Sequence, residues 1–145
     1  MKRFFVIGNK NIKYETRDEM SMKEIRTENA PAPVGPYSQA IEAGGFVFCS
    51  GQIALDPKSG EMVGKTAEEQ APQVLKNMKA VLSEAGLTVK SVVKTTIFLK
   101  DMATFPAINK IYEAAMEGHR PARSTVEASA LPKGALVEIE CIAKI

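Results

Sequence analysis

The chain has 145 residues, the size of one domain and enough to bury a hydrophobic core without a disulfide or a structural metal. Its 19 Lys and Arg against 17 Asp and Glu leave a net charge of +2. With no basic run interleaved with aromatics, no nucleic-acid surface is expected. No stretch reaches the ~18 apolar residues that span a bilayer, so no membrane partner is expected and a soluble, cytoplasmic protein is.

Residues 1–21 are polar, without clear periodicity, and contain two further possible start residues at or next to their end, Met20 and Met22. They read as an extra N-terminal segment, flexible or a misassigned start, ahead of a domain over residues 22–145. The apolar run before Gly8 is shorter than an export signal requires. Residues 23–27 predict a short first strand. Asn29 to Pro36 is a Pro/Gly loop that excludes helix and delivers Tyr37. Residues 37–42 and 46–50 are short apolar runs around Gly44-Gly45, a hairpin signal, and Asp56 to Gly60 marks a tight turn.

Apolar residues from Ala67 to Ala85 recur every 3.6 positions, Thr66 and Glu69 have the spacing of a capping box, and Gly86 follows, so this segment predicts the clearest helix. Pro72 lies in its first turns and predicts a late start or a bend. Residues 92–99 are β-branched and predict a buried strand. Ile108, Ile111, Tyr112, Ala115 and Met116 share one face of a second helix that Gly118 closes. Residues 123–129 and 135–145 predict two last strands joined by Leu131-Pro132-Lys133-Gly134.

The order strand, strand, strand, helix, strand, helix, strand, strand is α+β, with about six strands in a mixed sheet and two helices on one face. Phe98 with Val92, and Leu136 with Ile142, are read as apolar groups on the uncovered face, which then needs a partner copy. Cys49 and Cys141 lie in apolar strand-like runs and read as reduced core residues. One histidine, His119, is too few for a zinc site, so no metal is expected.

Alternation puts Arg123, Thr125 and Glu127 on one strand face, while Glu138 and Glu140 share a face of the last strand. By pattern alone these charges read as a solvated, salt-bridged sheet face away from the core. Their sequence context says more. Arg120-Pro121-Ala122-Arg123-Ser124-Thr125-Val126-Glu127 and Leu131-Pro132-Lys133-Gly134-Ala135-Leu136-Val137-Glu138-Ile139-Glu140 resemble the C-terminal signature of the RidA (YjgF) family of enamine/imine deaminases. Gly35-Pro36-Tyr37-Ser38-Gln39-Ala40, Ser50-Gly51-Gln52 and Lys94-Thr95-Thr96-Ile97-Phe98-Leu99-Lys100-Asp101 are similar to its other motifs, in the same order.

The resemblance implies a chorismate-mutase-like fold, a homotrimer with clefts between subunits, and hydrolysis of 2-enamine/2-imine acids to 2-keto acids and ammonia without a cofactor. It implies Arg123 as the anchor for a substrate carboxylate and Glu138 as the group that positions the attacking water. Tyr37, Ser50, Gly51 and Asn109 are implied as substrate-cleft residues, each with a purely structural alternative. Thr125 stands where many relatives carry a cysteine, which removes thiol catalysis there and leaves its backbone N–H to face the substrate. The competing reading is a trimeric, non-catalytic metabolite-binding regulator of another protein; a ribonuclease or translation inhibitor is disfavoured by the charge balance.

Overall fold

The computed structural model describes residues 21–145; the reading of residues 1–21 as an extra segment therefore falls, but for Ser21, outside the described residues. Six strands form one sheet: β1 (Lys23–Ile25), β2 (Ala40–Ala43), β3 (Phe46–Gln52), β4 (Val92–Leu99), β5 (Ala122–Glu127) and β6 (Val137–Lys144), in the spatial order β1-β2-β3-β6-β4-β5. Two helices, α1 (Ala67–Glu84) and α2 (Phe105–Ala115), connect β3 to β4 and β4 to β5. The β4–β5 pair is parallel and every other pair antiparallel. Parallel neighbours need a crossover, which α2 supplies. The last strand, β6, slots between β3 and β4.

Local chemistry accounts for the boundaries. Gly44 (φ 58°) and Gly45 (φ 84°) turn β2 into β3 with both central residues left-handed, the geometry that two-residue hairpins favour. The capping box of α1 is complete: Thr66 accepts from the Glu69 N–H, and the Glu69 carboxylate accepts from the Thr66 N–H. The helix neither starts late nor breaks at Pro72, which lies exposed within its second turn. β1 stops at Ile25 and does not reach Thr27, because the Gln39 side-chain amide takes both the N–H and the carbonyl of Thr27 in place of a sheet partner.

The core lies between the sheet and the two helices. Met78, Val81 and Leu82 of α1 and Ile108 of α2 meet Ile97 and Leu99 of β4 and Val137, Ile139 and Ala143 of β6. Tyr112 packs there too, and its hydroxyl shares a 2.8 Å hydrogen bond with Thr95. Cys49 and Cys141 stand opposite each other on β3 and β6, both buried and both free thiols.

The other sheet face carries Ile41, Phe48 and Ile142 in one row and Phe98 and Val126 in another, with Phe48 and Val126 exposed. Apolar side chains gathered on one exposed sheet face are characteristic of interaction surfaces. Two residues assigned to it from sequence lie elsewhere. A register shift between Val92 and Lys94 reverses the alternation, so Val92 is buried in the core. Leu136 precedes β6 and packs against the core as well.

Candidate active site

A cavity of about 500 Å³ opens beside the meeting of β3 and β6. Its floor follows from an irregularity in β3. Cys49 pairs with Cys141 and Gln52 with Ile139, so β3 takes one residue more than β6 over the same span. A bulge of this kind re-aims the residues within it, and those residues are Ser50 and Gly51. Ser50 is fixed twice: its N–H donates to the Gln39 carbonyl at 3.0 Å and its hydroxyl donates to the Ser38 carbonyl at 2.6 Å. With its proton engaged, the Ser50 hydroxyl can only accept a further hydrogen bond.

Glu138 of β6 stands over Gly51. A methyl group on the Gly51 Cα would overlap Glu138 Oε1 and lie 2.8 Å from its carboxyl carbon, so glycine here is what lets the carboxylate lie against the β3 backbone. Glu138 is half-buried, and its pKa is raised first by that burial and then by the neighbouring charge of Glu140. Glu140 lines the same cavity, as does Lys133 from the turn before β6.

The opposite wall is the loop of residues 29–36, contributing Pro31, Ala32 and Val34, with Tyr37 at its end. Gln39 holds this loop in place. Its buried side chain accepts from the Thr27 N–H at 2.7 Å and donates to the carbonyls of Thr27 (3.0 Å), Ala30 (3.2 Å) and Pro31 (2.9 Å). Tyr37 is half exposed; its hydroxyl accepts from the Val34 N–H at 3.4 Å.

Arg123, Asn109 and Thr125 form a separate group. Arg123 pairs in register with Thr95, which faces the helices and is fully buried, and its guanidinium lies 5.1 Å from the Tyr112 ring centre and 5.5 Å from that of Phe105. One of its N–H groups donates to Asn109 Oδ1 at 2.7 Å. Asn109 and the two rings thus orient the fork and leave its remaining donors free. Thr125 projects to the same side, in register with Ile97; its hydroxyl is buried and has no hydrogen-bond partner among the described residues.

Arg123 and Glu138 therefore project from opposite faces of one sheet: Arg123 beside the helices, Glu138 on the face they leave open, since its neighbour Ile139 points into the core. The expectation that both project away from the core is corrected for Arg123. Within one chain Tyr37, Ser50, Gly51 and Glu138 come together and Arg123, Asn109 and Thr125 come together, but the two sets do not meet. The sequence motifs contain Gln39, Lys133 and Glu140 without marking them as parts of the site. Only the glycine at position 51 hints at the bulge, and the 131–134 segment by itself predicts no more than a plain turn.

Among the described residues, no cluster of His, Cys, Asp and Glu is arranged to hold a metal, and no helix is long and apolar enough to cross a membrane.

Residues 27–145 match the family described as Endoribonuclease L-PSP. The chain is 57% identical over 126 residues to a RutC family protein of Synechocystis, covering 86% of this chain and 97% of that one. It is 49% identical over 124 residues to the 2-iminobutanoate/2-iminopropanoate deaminase of Salmonella typhimurium, covering 83% of this chain and 96% of the relative. The crystal structure of the YjgF gene product from E. coli superposes with a TM-score of 0.78 at 44% identity, over 84% of this chain and 98% of that chain.

Proposed function

The chain belongs to this family, that of the RidA (YjgF) proteins, and on that footing we propose that it hydrolyses 2-imino acids and their enamine tautomers, of the 2-aminoacrylate and 2-aminocrotonate type, to 2-keto acids and ammonia. The observation that carries this reading is the Glu138 carboxylate laid against Gly51 in a cavity with Tyr37 and Ser50. A half-buried carboxylate with a raised pKa is suited to take a proton and give it back.

The site is assembled between copies of the chain. The uncovered apolar face seeks a partner, and a homotrimer brings Arg123 of the partner subunit to the cavity that holds Glu138. The fork of Arg123 takes the substrate carboxylate through two parallel N–H···O bonds, each contributing about 1.5–3 kcal/mol. A water then adds to the C=N carbon of the iminium form while Glu138 accepts its proton, which gives the neutral carbinolamine. Glu138 passes that proton to the amino nitrogen and then takes the hydroxyl proton as the C–N bond breaks, so that ammonia leaves, the C–O bond becomes the ketone, and the proton left on Glu138 goes to the departing ammonia. Proton transfer of this kind contributes about 10²–10⁴-fold. Tyr37 and the lone pairs of Ser50 line the water's approach, Asn109 holds the Arg123 fork in plane, and the Thr125 N–H faces the substrate. No step draws on a cofactor.

The test couples a serine or threonine dehydratase to the purified protein and follows decay of the imine absorbance. Wild type should speed the decay, and Arg123→Ala and Glu138→Gln should each abolish the effect. The two inactive variants, unfolded together in equal amounts and refolded, should recover about a quarter of wild-type activity, because random assembly gives that share of clefts both intact groups. Zero recovery from a properly reassembled mixture would mean that Arg123 and Glu138 of neighbouring copies do not complete one cleft. Wild type that leaves the decay unchanged would favour a metabolite-binding regulator.

A further inference from the structure

Glu138 and Glu140 both line the cavity, and the substrate of the proposed reaction is itself an anion. Two carboxylates and one approaching carboxylate repel, and a partly enclosed cavity strengthens that repulsion relative to open water. Among the described residues lining the cavity the one cation is Lys133, and it makes no ion pair within the described chain. Its backbone is unusual: φ is 53° and ψ 25°, inside the short turn Pro132–Gly134. A side chain bearing a Cβ is disfavoured in this left-handed region, where glycine is at ease. A lysine occupies a position where glycine would relax the turn, and that turn sets the lysine at the cavity. Backbone strain of this kind is characteristic of functional positions.

We propose that Lys133 is a steering residue of this cavity: its ammonium offsets the Glu138 and Glu140 charges and draws the anionic substrate in, before Arg123 of the partner subunit holds it. The inference rests on the imino-acid reading for the identity of the substrate, and the probe below is chosen to separate the two. One unit charge several ångströms away, at an effective dielectric between surface and water, changes binding by about 3- to 10-fold.

The experiment compares wild type with Lys133→Gly, Lys133→Gln and Lys133→Arg. It reads binding of 2-ketobutanoate by calorimetry at low and high salt, KM and kcat for the imine, and the melting temperature. Lys133→Gly should melt at or above the wild-type temperature, since it relieves the left-handed lysine, yet bind 2-ketobutanoate about 3- to 10-fold more weakly at low salt. The loss should fall on KM rather than kcat and shrink as salt screens the charge. Lys133→Gln should show the same loss and Lys133→Arg should restore binding. Equal binding by wild type and Lys133→Gln at low salt would overturn the proposal whatever the catalytic result. Lysine-dependent binding without imine turnover would uphold Lys133 and sink the deaminase reading.

Discussion

Replacing Gly51 with alanine separates the position of Glu138 from the stability of the fold. The added methyl would overlap Glu138 Oε1 and lie 2.8 Å from its carboxyl carbon, against an ordinary contact of at least 3.4 Å. Relieving the overlap requires the carboxylate oxygen to shift by more than about 1 Å, and a misplacement of that size at a reacting group costs about 10²-fold. The fold should tolerate the change. The backbone at Gly51 is not left-handed, and the group that must give way is the end of a flexible side chain. A stability loss under about 1 kcal/mol is therefore expected, as for substitutions that leave the core packing intact. The measurements are kcat/KM in the dehydratase-coupled assay and the urea midpoint of the same preparation. Because the methyl acts through Glu138, Gly51→Ala combined with Glu138→Gln should be no slower than Glu138→Gln alone. Wild-type kcat/KM in a folded Gly51→Ala protein would refute the assignment of the reacting proton to Glu138.

Arg123→Lys should lose about as much kcat/KM as Arg123→Ala, on the order of 10²–10³-fold, because an ammonium cannot reproduce the two-point fork; full activity in the lysine variant would exclude the clamp. The raised pKa of Glu138 has two consequences. Its folded pKa lies above its unfolded value, so its stabilising contribution is present below the unfolded pKa and is lost as pH rises through the folded one. Glu138→Gln should therefore melt higher than wild type at neutral pH, and the gain should vanish in acid. The same carboxyl must ionise to act as base, so kcat/KM should rise with pH through its pKa, and Glu140→Gln should move that rise to lower pH; an unmoved profile would dismiss the Glu140 contribution. Gln39→Leu strips four hydrogen bonds from the 27–31 backbone and should cost about 2–4 kcal/mol in urea unfolding, with Tyr37 fluorescence reporting the loosened loop. Thr125→Val removes a buried hydroxyl with no partner among the described residues and should raise the melting temperature, by about 1 kcal/mol or less in stability; a marked drop would mean that the hydroxyl has a hydrogen-bond partner in solution.

Much of this protein is written in local sequence. The helix over Ala67–Glu84 follows from its 3.6-residue stripe and its Thr66/Glu69 box, the β2–β3 hairpin from Gly44-Gly45, and the succession of elements along the chain from the alternation of apolar runs with turn residues. These depend on spacing within a dozen residues, and short-range sterics and hydrogen bonding decide them. The four spaced motifs identify the family in the same way, without reference to folding.

What spacing could not give is anything that depends on which strands become neighbours. Alternation correctly set Arg123 with Thr125, and Glu138 with Glu140, yet it cannot say how the faces of two strands relate until their pairing through β4 is known; pairing puts Arg123 among Tyr112, Phe105 and Asn109 and turns Glu138 to the other side. The bulges at Ser50-Gly51 and after Val92 are mismatches between two strands distant in sequence, so neither strand encodes them alone. The same holds for Gln39, whose partners lie across a loop, and for Lys133, which shares a cavity with Glu138 and Glu140 only once the chain is folded. Sequence fixes which groups are present and which way each alternates; tertiary pairing decides which of them meet, because a strand's side chains gain their neighbours only when the sheet closes around them.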